Sequence, residues 1–367
     1  MQNHEQHMRR ALDLAARAIG MTSPNPMVGA VIARDDGRII AEGWHKRAGM
    51  PHAEAVTLKL AGGGARGATL YVTLEPCCHT AKKTPPCVDA IIAAGVRRVV
   101  AAMSDPNPMV SGRGFRRLRS AGIEVFKGVL EREARELNRF FIRHITTGLP
   151  YVTMKTAQGI DGRIATASGE SKWITGPAAR KIVHAMRAEH DAIMVGIGTV
   201  KADNPSLTAR GVSGKNPVRV IVDGRLEISP DSKVITDGLA PTIIATAAPA
   251  DHPNVSTLKR DGVEVIHCAG PDNGRVALEC LMRALGGRGI MSVLLEGGGG
   301  INGAMLRAGL VSRAVFFTAP LIIGGRNSVP SVGGPDIASL SEAVRLGAFT
   351  VAAAGRDLMI SADVSNG

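Results

Sequence analysis

The sequence predicts an α/β protein with two domains, the first of them an α/β/α sandwich. Three observations support this fold class. The 367 residues are enough for two domains of ordinary size. In both halves, apolar runs of strand length alternate with segments of helical periodicity, as in α/β folds. Gly148, Leu149 and Pro150 interrupt the pattern, so we expect domains over residues 1–148 and 149–367.

The first half shows the alternation that such a sandwich requires. Each expected strand is a short apolar run, and each expected helix has apolar residues at helical spacing. The helices are expected over residues 9–19, 53–60 and 88–94, and the strands over residues 28–33, 38–42, 68–74 and 97–103. Strand ends therefore lead into helix starts, which is where open α/β sheets place their ligands.

The second half repeats this alternation. A tight turn at Asp161, Gly162 and Arg163 separates its first two expected strands. Strands are expected over residues 151–157, 164–167, 192–196, 218–222 and 292–295, and helices over residues 180–190 and 301–309. Residues 239–267 are too weakly patterned to give strand boundaries.

Three short motifs in the first half predict a zinc centre. They are His52-Ala53-Glu54, Glu75-Pro76-Cys77 and Thr84-Pro85-Pro86-Cys87. One imidazole and two thiolates leave the fourth tetrahedral position for water, whose pKa zinc lowers to about 7. Glu54 is then a proton shuttle and not a ligand, as in the H-x-E and P-C-x-x-C signature of zinc nucleobase deaminases. We therefore predict His52, Cys77 and Cys87 as ligands and Glu54 as the catalytic acid and base.

This chain departs from that signature at the second cysteine. The position three residues after Cys77 is Thr80, so the second thiol ligand is expected at Cys87. A thiolate at the start of a helix is favoured by the helix dipole, and the two preceding prolines favour a helix start there. Two other interpretations are a closed structural zinc site, with His79 or Cys78 as fourth ligand, and a metal-free cluster of buried cysteines.

The composition favours a small phosphorylated substrate. Residues 1–150 contain 22 Lys and Arg against 13 Asp and Glu, whereas residues 151–367 contain 22 against 19, in a total charge of +12. Such an excess attracts nucleic acid or a phosphorylated small molecule. With only 7 Phe, 2 Trp and 2 Tyr, the chain has few rings for stacking bases, so we expect no nucleic-acid partner.

Cellular location can also be predicted. The first ten residues lack a secretory apolar segment, and no stretch is long enough to span a bilayer, so we expect a cytoplasmic protein with no membrane partner. An odd cysteine count, five, is typical of a reducing compartment. Cys268 and Cys280 are interpreted as core residues.

A second binding site is indicated late in the chain. The strand over residues 292–295 ends in Glu296 and a run of four glycines, after which a helix begins. Backbone N–H groups and a helix dipole in this arrangement can bind a pyrophosphate, so we predict a dinucleotide site. The run lacks the spaced G-x-G-x-x-G fingerprint, and a flexible turn is the alternative.

The motifs together resemble one family. In order after the zinc motifs come Asp161-Gly162-Arg163, Ser168-Gly169-Glu170-Ser171, Trp173-Ile174-Thr175, Asp203-Asn204-Pro205, Leu207-Thr208 and Glu296-Gly297-Gly298. Their order resembles that of the bifunctional riboflavin-biosynthesis deaminase/reductases, over nearly the whole chain. The resemblance implies a cytidine-deaminase-like first domain, a dihydrofolate-reductase-like second domain, Zn²⁺, NADPH, a phosphorylated pyrimidine ribosylamine substrate and a homo-oligomer.

The resemblance also implies roles for residues of the second domain. For NADPH it implies Ala157, Trp173, Thr199, Asp203, Gly298, Gly299, Gly300, Ile301, Asn302, Gly303 and Ala304. For the substrate it implies Ser171, Arg187, Leu207, Arg210 and Glu296, with Lys155 tuning the opening of the sugar. The two arginines suit a phosphate because their forks form charge-assisted hydrogen bonds.

Each of these residues has an ordinary structural alternative. Trp173 could be a core residue, Arg187 and Arg210 surface charges, and Glu296 a helix cap. Arg225 is a candidate for the extra phosphate of the cofactor, and a turn arginine is the alternative. In the first domain, Asn25 offers an amide that can read a ring edge, or it is a turn residue between two prolines.

Two other functions are compatible with parts of the pattern. A zinc nucleic-acid base deaminase with an appended nucleotide-binding domain would bind RNA or DNA and consume no NADPH. A non-enzymatic sensor would bind zinc and nucleotide without turnover, but it would not need the carboxylate of Glu54. The ten-residue step from Cys77 to Cys87 is one residue longer than is usual in the family, and Lys82 and Lys83 accommodate the insertion.

Overall fold

A computed structural model describes residues 2–78, 86–108, 110–270 and 274–365. The chain divides into two compact units, Met1–Gly148 and Leu149–Gly367. Each unit has its own buried apolar core. No helix in the described ranges has the length and hydrophobicity needed to cross a bilayer.

The first unit is a mixed sheet with helices packed on it. Its helices are α1 (Gln2–Ala16), α2 (Ala53–Ala61), α3 (Cys87–Ala93), α4 (Arg113–Ser120), α5 (Glu131–Leu137) and α6 (Arg139–Thr147), with a 3₁₀ turn at Gly62–Ala65. Its strands are β1 (Gly29–Ala33), β2 (Ile39–Trp44), β3 (Thr69–Val72), β4 (Arg98–Ala101) and β5 (Glu124–Lys127). The strand order is β2-β1-β3-β4-β5, with β3, β4 and β5 parallel and β1 antiparallel to both its neighbours.

The packing of α1 on β1 shows why this layer forms. All five residues of β1 are buried, as expected for a strand covered on both faces. At Gly29, an added Cβ would lie 2.0 Å from the carbonyl oxygen of Ala11, so glycine is required for the close approach of the helix. α1 begins and ends earlier than predicted, and its earlier start follows because apolar residues such as Met8 on its first turns face the core.

The second unit is built on one long sheet. Its helices are α7 (Pro177–Glu189), α8 (Ile197–Asp203), α9 (Lys233–Thr236), α10 (Pro253–Leu258), α11 (Leu278–Gly287) and α12 (Gly299–Arg307), with a 3₁₀ turn at Leu340–Glu342. Its strands are β6 (Tyr151–Gly159), β7 (Arg163–Ala165), β8 (Ala192–Gly196), β9 (Val218–Val222), β10 (Thr242–Thr246), β11 (Val263–His267), β12 (Ser292–Leu295), β13 (Arg313–Ala319), β14 (Val329–Pro330), β15 (Arg345–Leu346), β16 (Thr350–Ala354) and β17 (Asp357–Ser365).

Strand order decides which residues meet in this unit. The order is β11-β10-β9-β8-β12-β6-β13-β17-β15, with β16 paired to β17 and β14 paired to β7. From β11 to β13 the strands are parallel. Met154 of β6 pairs with Leu295 of β12, and Leu295 pairs with Met194 of β8. The carboxyl ends of these three strands therefore lie at one edge of the sheet, where α/β proteins bind ligands.

The predictions for this unit were most accurate in its buried parallel strands. The predicted bounds of β8, β9 and β12 agree with the structure. The weakly patterned residues 239–267 contain β10, α10 and β11. Strand β11 lies at the edge of the sheet and buries only Ile266 of its five residues, so it lacks the continuous apolar run of a central strand.

Candidate functional site

The first site forms where three chain segments converge. His52 is the N-cap of α2, with an extended backbone, and Cys87 is the first residue of α3. Cys77 follows β3 and is buried. Strand β3 therefore delivers one sulfur ligand, and two helix starts deliver the imidazole and the other sulfur.

The spacing of these three side chains fits zinc. His52 Nδ1 lies 3.2 Å from Cys87 Sγ and 3.6 Å from Cys77 Sγ, and all three donor atoms lie within 4.8 Å of one another. A tetrahedral ion with Zn–S of about 2.3 Å and Zn–N of about 2.0–2.1 Å separates such donors by about 3.6–3.8 Å. The residues present can therefore hold zinc with little movement, and the donor set is one that zinc prefers.

The thiols are arranged to release protons to a metal. The pKa of Cys77 is lowered to about 3, mainly by the hydrogen bond from the Cys87 thiol. Burial opposes this effect, and His52 lowers the pKa further. The same hydrogen bond and burial raise the pKa of Cys87. The backbone N–H of Cys87 also donates to Cys77 Sγ at 3.4 Å. One thiolate is thus already favoured, and a divalent cation would displace the remaining proton.

Glu54 lies beside the donor cluster without belonging to it. It is buried in the first turn of α2, with 4% of its surface exposed, and it hydrogen-bonds to the Cys87 side chain. Burial raises the pKa of its carboxyl group, and His52 partly opposes that effect. A carboxyl group with a raised pKa holds a proton more readily than a free one, which suits a group that accepts and then donates protons in general acid and base catalysis.

Cys78 and His79 are the two alternatives for a fourth zinc ligand, and the structure describes the first of them. Cys78 does not belong to the donor cluster and packs, half-buried, against the apolar core of the first unit. Its pKa is raised by burial, so its thiolate is disfavoured. His79, together with Lys82 and Lys83, lies outside the described residues.

Glu75 holds the loop that carries Cys77, a role the sequence did not reveal. Its buried carboxylate accepts hydrogen bonds from the backbone N–H groups of Asp105, Gly112, Gly114 and Phe115, at 2.9 to 3.3 Å. These bonds tie the residue two before Cys77 to the start of α4 and to the loop that precedes it. The signal was a charged residue three positions after a wholly buried strand, where an unpartnered charge is costly.

Asn25 lies near the zinc cluster through a second histidine. Its Nδ2 is 3.2 Å from His45 Nε2, and the Nδ1 of His45 is 3.1 Å from the carbonyl oxygen of Pro51. The ring of His45 stands edge-on to the ring of His52, with 5.7 Å between centroids. His45 was missed in the sequence, because a lone histidine after a strand has no distinguishing pattern there.

The second unit contains a cavity of about 800 Å³. It lies at the sheet edge formed by the carboxyl ends of β6, β8 and β12. The residues expected from the resemblance that line it are Lys155, Ala157, Ser171, Trp173, Arg187, Thr199, Asp203, Leu207, Arg210, Glu296, Gly298, Gly299, Gly300 and Ile301. Asn302, Gly303 and Ala304 belong to the buried side of α12 or its interior and do not line the cavity.

Glu296 is the centre of an ion cluster in the cavity wall. Arg187 Nε and Nη2 donate to its two carboxylate oxygens at 2.7 and 2.9 Å, and Lys155 Nζ lies 3.3 Å from Oε2. Burial would raise the pKa of Glu296, but Arg187 and Lys155 outweigh it and lower the pKa to about 2. Because the N-cap of α12 is Gly298, Glu296 is not the helix cap that was the structural alternative.

Arg187 and Arg210 differ in what they offer a phosphate. The side chain of Arg187 is only 14% exposed, so it is not a surface charge. Its fork faces Glu296, and Nη1 donates to the carbonyl oxygen of Thr208 at 3.1 Å. Arg210 is exposed and lines the cavity, so its guanidinium is the more accessible of the two.

The glycines of α12 fall into two groups. A Cβ at Gly299 would lie 2.3 Å from the carbonyl oxygen of Pro330, and one at Gly303 would lie 1.7 Å from that of Gly333. At Gly298 and Gly300 an added Cβ would meet nothing within 4 Å. The first pair lets α12 pack against residues 330–333, whereas the second pair leaves open backbone at the cavity, which fits a pyrophosphate.

The remaining candidates lie at the rim of the cavity. Trp173 is 68% exposed, so it is not a core residue. The guanidinium of Arg180 lies over its ring, 4.5 Å from the ring centroid. Asp203 pairs with Lys172 at 3.0 Å. Arg225 is exposed and is not among the residues that line the cavity.

Comparison with known proteins covers both units. A family model described as the cytidine and deoxycytidylate deaminase zinc-binding region matches residues 1–103, and one described as the RibD C-terminal domain matches residues 150–360. The riboflavin biosynthesis protein RibD of Bacillus amyloliquefaciens is 42% identical over 364 residues, covering 99% of this chain and 97% of that protein. The RibD protein of Aquifex aeolicus is 44% identical over 355 residues, covering 96% of each.

Solved structures agree with these matches. A diaminohydroxyphosphoribosylaminopyrimidine deaminase/5-amino-6-(5-phosphoribosylamino)uracil reductase from Thermotoga maritima has a TM-score of 0.87 and 38% identity, with 99% of both chains covered. A RibD structure from Acinetobacter baumannii has a TM-score of 0.88 and 36% identity, covering 100% of this chain and 99% of that one. The predicted fold class is confirmed by this similarity.

Proposed function

The chain belongs to the RibD family of riboflavin biosynthesis proteins, and on that premise we propose how its residues carry out the two reactions. The protein is a bifunctional enzyme, a zinc-dependent deaminase and an NADPH-dependent reductase that act on a phosphorylated pyrimidine. This function is favoured over a nucleic-acid base deaminase, because the match to RibD proteins extends over both halves of the chain. Residues 1–148 are the proposed deaminase domain and residues 149–367 the proposed reductase domain.

The deaminase step is proposed to use the cluster of His52, Cys77 and Cys87 with Glu54. The substrate is 2,5-diamino-6-(5-phosphoribosylamino)pyrimidin-4(3H)-one. Zinc, when bound there, would lower the pKa of water so that water can attack at neutral pH. Glu54 takes one proton from the attacking water and delivers it to the adjacent ring nitrogen. It then moves the second proton, from the hydroxyl group that the attack leaves on the ring carbon, to the amino group, which departs as ammonia while the carbonyl forms. The single observation that carries this proposal is a buried carboxyl group beside a donor cluster to which it does not belong.

Asn25 is proposed to position the pyrimidine ring in this site. Its amide is held near His45, whose ring stands against that of the proposed ligand His52. An amide can read both donors and acceptors on a ring edge. This link through His45 to His52 supports a role for the amide beside the reacting ring.

The reductase step is proposed to occur in the cavity of the second unit. The ribosylamine opens to a carbonyl or imine at the first sugar carbon, and the protein orients this carbon toward the nicotinamide. NADPH, when bound, supplies the hydride. Lys155, at 3.3 Å from Glu296, is proposed to donate a hydrogen bond to the sugar oxygen that is released on opening.

Cofactor and substrate are proposed to occupy different parts of this cavity. Open backbone at Gly298 and Gly300 suits the pyrophosphate, and the exposed face of Trp173 suits a ring of the cofactor. Ala157, Thr199 and Asp203 complete the cofactor side, and Asn302, Gly303 and Ala304 support it from within α12. Arg225 is not among the residues that line this cavity, so the turn arginine is the favoured interpretation of this residue.

The substrate phosphate is proposed to bind mainly to Arg210. Two nitrogens of the Arg187 guanidinium donate to Glu296, so Arg187 contributes mainly its positive charge to phosphate binding. Ser171 and Leu207 line the same cavity and complete the substrate side.

Assembly and location are further proposals. We propose a homo-oligomer that works in the cytoplasm. Strand β16 pairs only with β17 among the described strands and exposes Val351 and the adjacent Phe349, at 58% and 64% of their surfaces. An exposed apolar edge strand is a surface that a second copy can cover. Light scattering of the purified protein tests the assembly, and a monomer at micromolar concentration would contradict it.

The decisive experiment supplies Glu54→Ala with each substrate separately. We expect release of ammonia from the diaminopyrimidinone phosphate to fall by about 10²–10⁴, because the proton shuttle is lost. NADPH oxidation with the already deaminated intermediate should stay at the level of the unmodified enzyme. A folded Glu54→Ala protein that loses both activities would refute the separation of the two sites.

A further inference from the structure

His184 lines the cavity of the second unit, and neither proposed reaction uses it. It belongs to α7, one helical turn before Arg187, and it is half-buried. Its Nδ1 accepts a hydrogen bond from the backbone N–H of Arg210 at 3.3 Å. Its ring also hydrogen-bonds to the backbone of Thr208. The ring thus contacts the segment that carries the proposed phosphate-binding arginine.

That segment has little regular structure to fix it. It lies between the end of α8 at Asp203 and the start of β9 at Val218. Leu207 has a φ of 53°, a left-handed conformation that costs energy for a residue other than glycine. Tertiary contacts therefore have to hold it. Such contacts include the hydrogen bonds of Arg219 with Ser206, of Arg187 with Thr208 and of His184 with Arg210.

We propose that His184 is a positioning residue of the reductase, which in its neutral form holds the backbone of Arg210 so that the Arg210 side chain can bind the substrate phosphate. Accepting an N–H at Nδ1 requires that this nitrogen carry no proton, so the ring proton lies on Nε2. The inference rests on the proposed reductase site and names the residue that orders one of its substrate contacts.

The surroundings of His184 favour the neutral ring. Burial lowers its pKa, and the positive charges of Arg187 and Arg210 lower it further, while Glu296 and the hydrogen bond to Thr208 act in the opposite direction. Protonation at Nδ1 would replace the hydrogen bond with two N–H groups facing each other. As pH falls through the pKa of His184, the contact is lost and Arg210 is released.

Two variants separate positioning from direct contact with the substrate. The side-chain oxygen of asparagine lies where Nδ1 lies in histidine, so His184→Asn keeps an acceptor for Arg210. The amide of glutamine reaches the position of Nε2, so His184→Gln keeps a group facing the cavity and loses that acceptor. His267→Asn, at the exposed end of β11, is the matched control.

The measurement is steady-state reduction of 5-amino-6-(5-phosphoribosylamino)uracil by NADPH at pH 7.5. We expect the KM for this substrate to rise about five- to tenfold in His184→Gln, the effect of losing one hydrogen bond, with kcat within about twofold. His184→Asn should be close to the unmodified enzyme. The reverse order, with glutamine active and asparagine defective, would overturn the positioning role.

A pH series gives a second and independent readout. The substrate phosphate also titrates near pH 6, so the informative quantity is the KM of the unmodified enzyme divided by that of His184→Asn at each pH. This ratio should rise as the pH is lowered from 7.5 through the pKa of His184, which lies below its ordinary value, because only the histidine loses its acceptor. A ratio that falls would mean that a protonated His184 binds the phosphate directly, and the proposal would be wrong.

Two controls distinguish this failure from failure of the proposed reductase site. NADPH affinity, measured by fluorescence titration, and the thermal melting temperature should be unchanged in both His184 variants. ¹⁵N NMR of the imidazole should show an unprotonated Nδ1 in the enzyme without substrate, and a protonated Nδ1 at pH 7.5 would refute the proposal. If the unmodified enzyme did not oxidise NADPH with this substrate, the reductase assignment would fail, whatever the NMR result.

Discussion

The zinc cluster of the first unit and the cavity of the second unit differ in how their charged groups are balanced. His52, Cys77 and Cys87 bring three metal donors within 4.8 Å of one another, and their shared partner is a cation. In the cavity, the single carboxylate of Glu296 pairs with both Arg187 and Lys155 within 3.3 Å. The first site is built to bind a cation, whereas the second holds its charged groups in place through internal ion pairs and keeps one net positive charge for an anionic ligand.

This difference explains how each site tolerates change. A metal site loses its function when one ligand is removed, since zinc needs its donors in a fixed geometry. A cavity of about 800 Å³ binds its ligands through many weak contacts, so single changes should weaken it by degrees. Its ion cluster is the exception, because a buried charge that loses its partner is costly.

Removing a sulfur ligand should give the largest effect. In Cys87→Ser we expect deaminase activity to fall by at least about three orders of magnitude, because zinc binding and water activation are both lost. Reduction of the deaminated intermediate should be unchanged. Ammonia release, NADPH oxidation and zinc content by mass spectrometry are the measurements. Cys280→Ser is the matched control, because Cys280 is exposed and is not the core residue that the sequence suggested. A zinc-loaded and active Cys87→Ser would show that this cysteine is not a ligand.

Changing Glu296 should give the next largest effect, on the stability of the second unit. In Glu296→Gln two buried cations lose their partner, which costs about 3–5 kcal/mol. Hydrogen exchange of the β12 amides at pH 7 should show this loss of protection. Glu264→Gln, at an exposed ion pair with Arg288, should change protection by less than about 1 kcal/mol. Equal protection in both variants would refute a special role for the buried cluster.

The same variant predicts a pH dependence. Because Arg187 and Lys155 lower the pKa of Glu296 from 4.5 to about 2, its stabilisation is fully present above pH 4.5 and is lost as the pH falls toward 2. The difference in β12 protection between the unmodified protein and Glu296→Gln should therefore shrink between pH 4.5 and 3. A difference that is constant over this range would mean that the carboxylate charge does not contribute.

Two glycines of α12 give the smallest and most local test. Gly300→Ala adds a methyl group in open space, so folding should be unaffected, whereas NADPH affinity should fall by about tenfold if the pyrophosphate approaches that backbone. Gly299→Ala should instead lower the melting temperature, because its Cβ would lie 2.3 Å from the Pro330 carbonyl oxygen. Calorimetry and fluorescence titration of both variants are the measurements. Unchanged NADPH affinity in Gly300→Ala would move the pyrophosphate elsewhere.

Sequence reasoning was most successful where residue type alone carries the information. The buried strands β8, β9 and β12 were predicted with their observed bounds, because a short continuous run of apolar residues is typical of a strand buried on both faces. It was least successful in edge strands and in polar networks. The four backbone N–H groups bound by Glu75 come from residues 30 to 40 positions away, so no local pattern could indicate them.

The sequence alone determined the chemistry of the metal donors, because only a few residue types can bind zinc and they stand in a recognisable order. It also determined the family, through motifs spread over both halves. Only the tertiary structure decided which charges meet, since strand order places β12 between β8 and β6 and brings Glu296 beside Lys155 and Arg187. Residues more than a hundred positions apart become partners through the fold, and their energies depend on distances that a linear pattern does not contain.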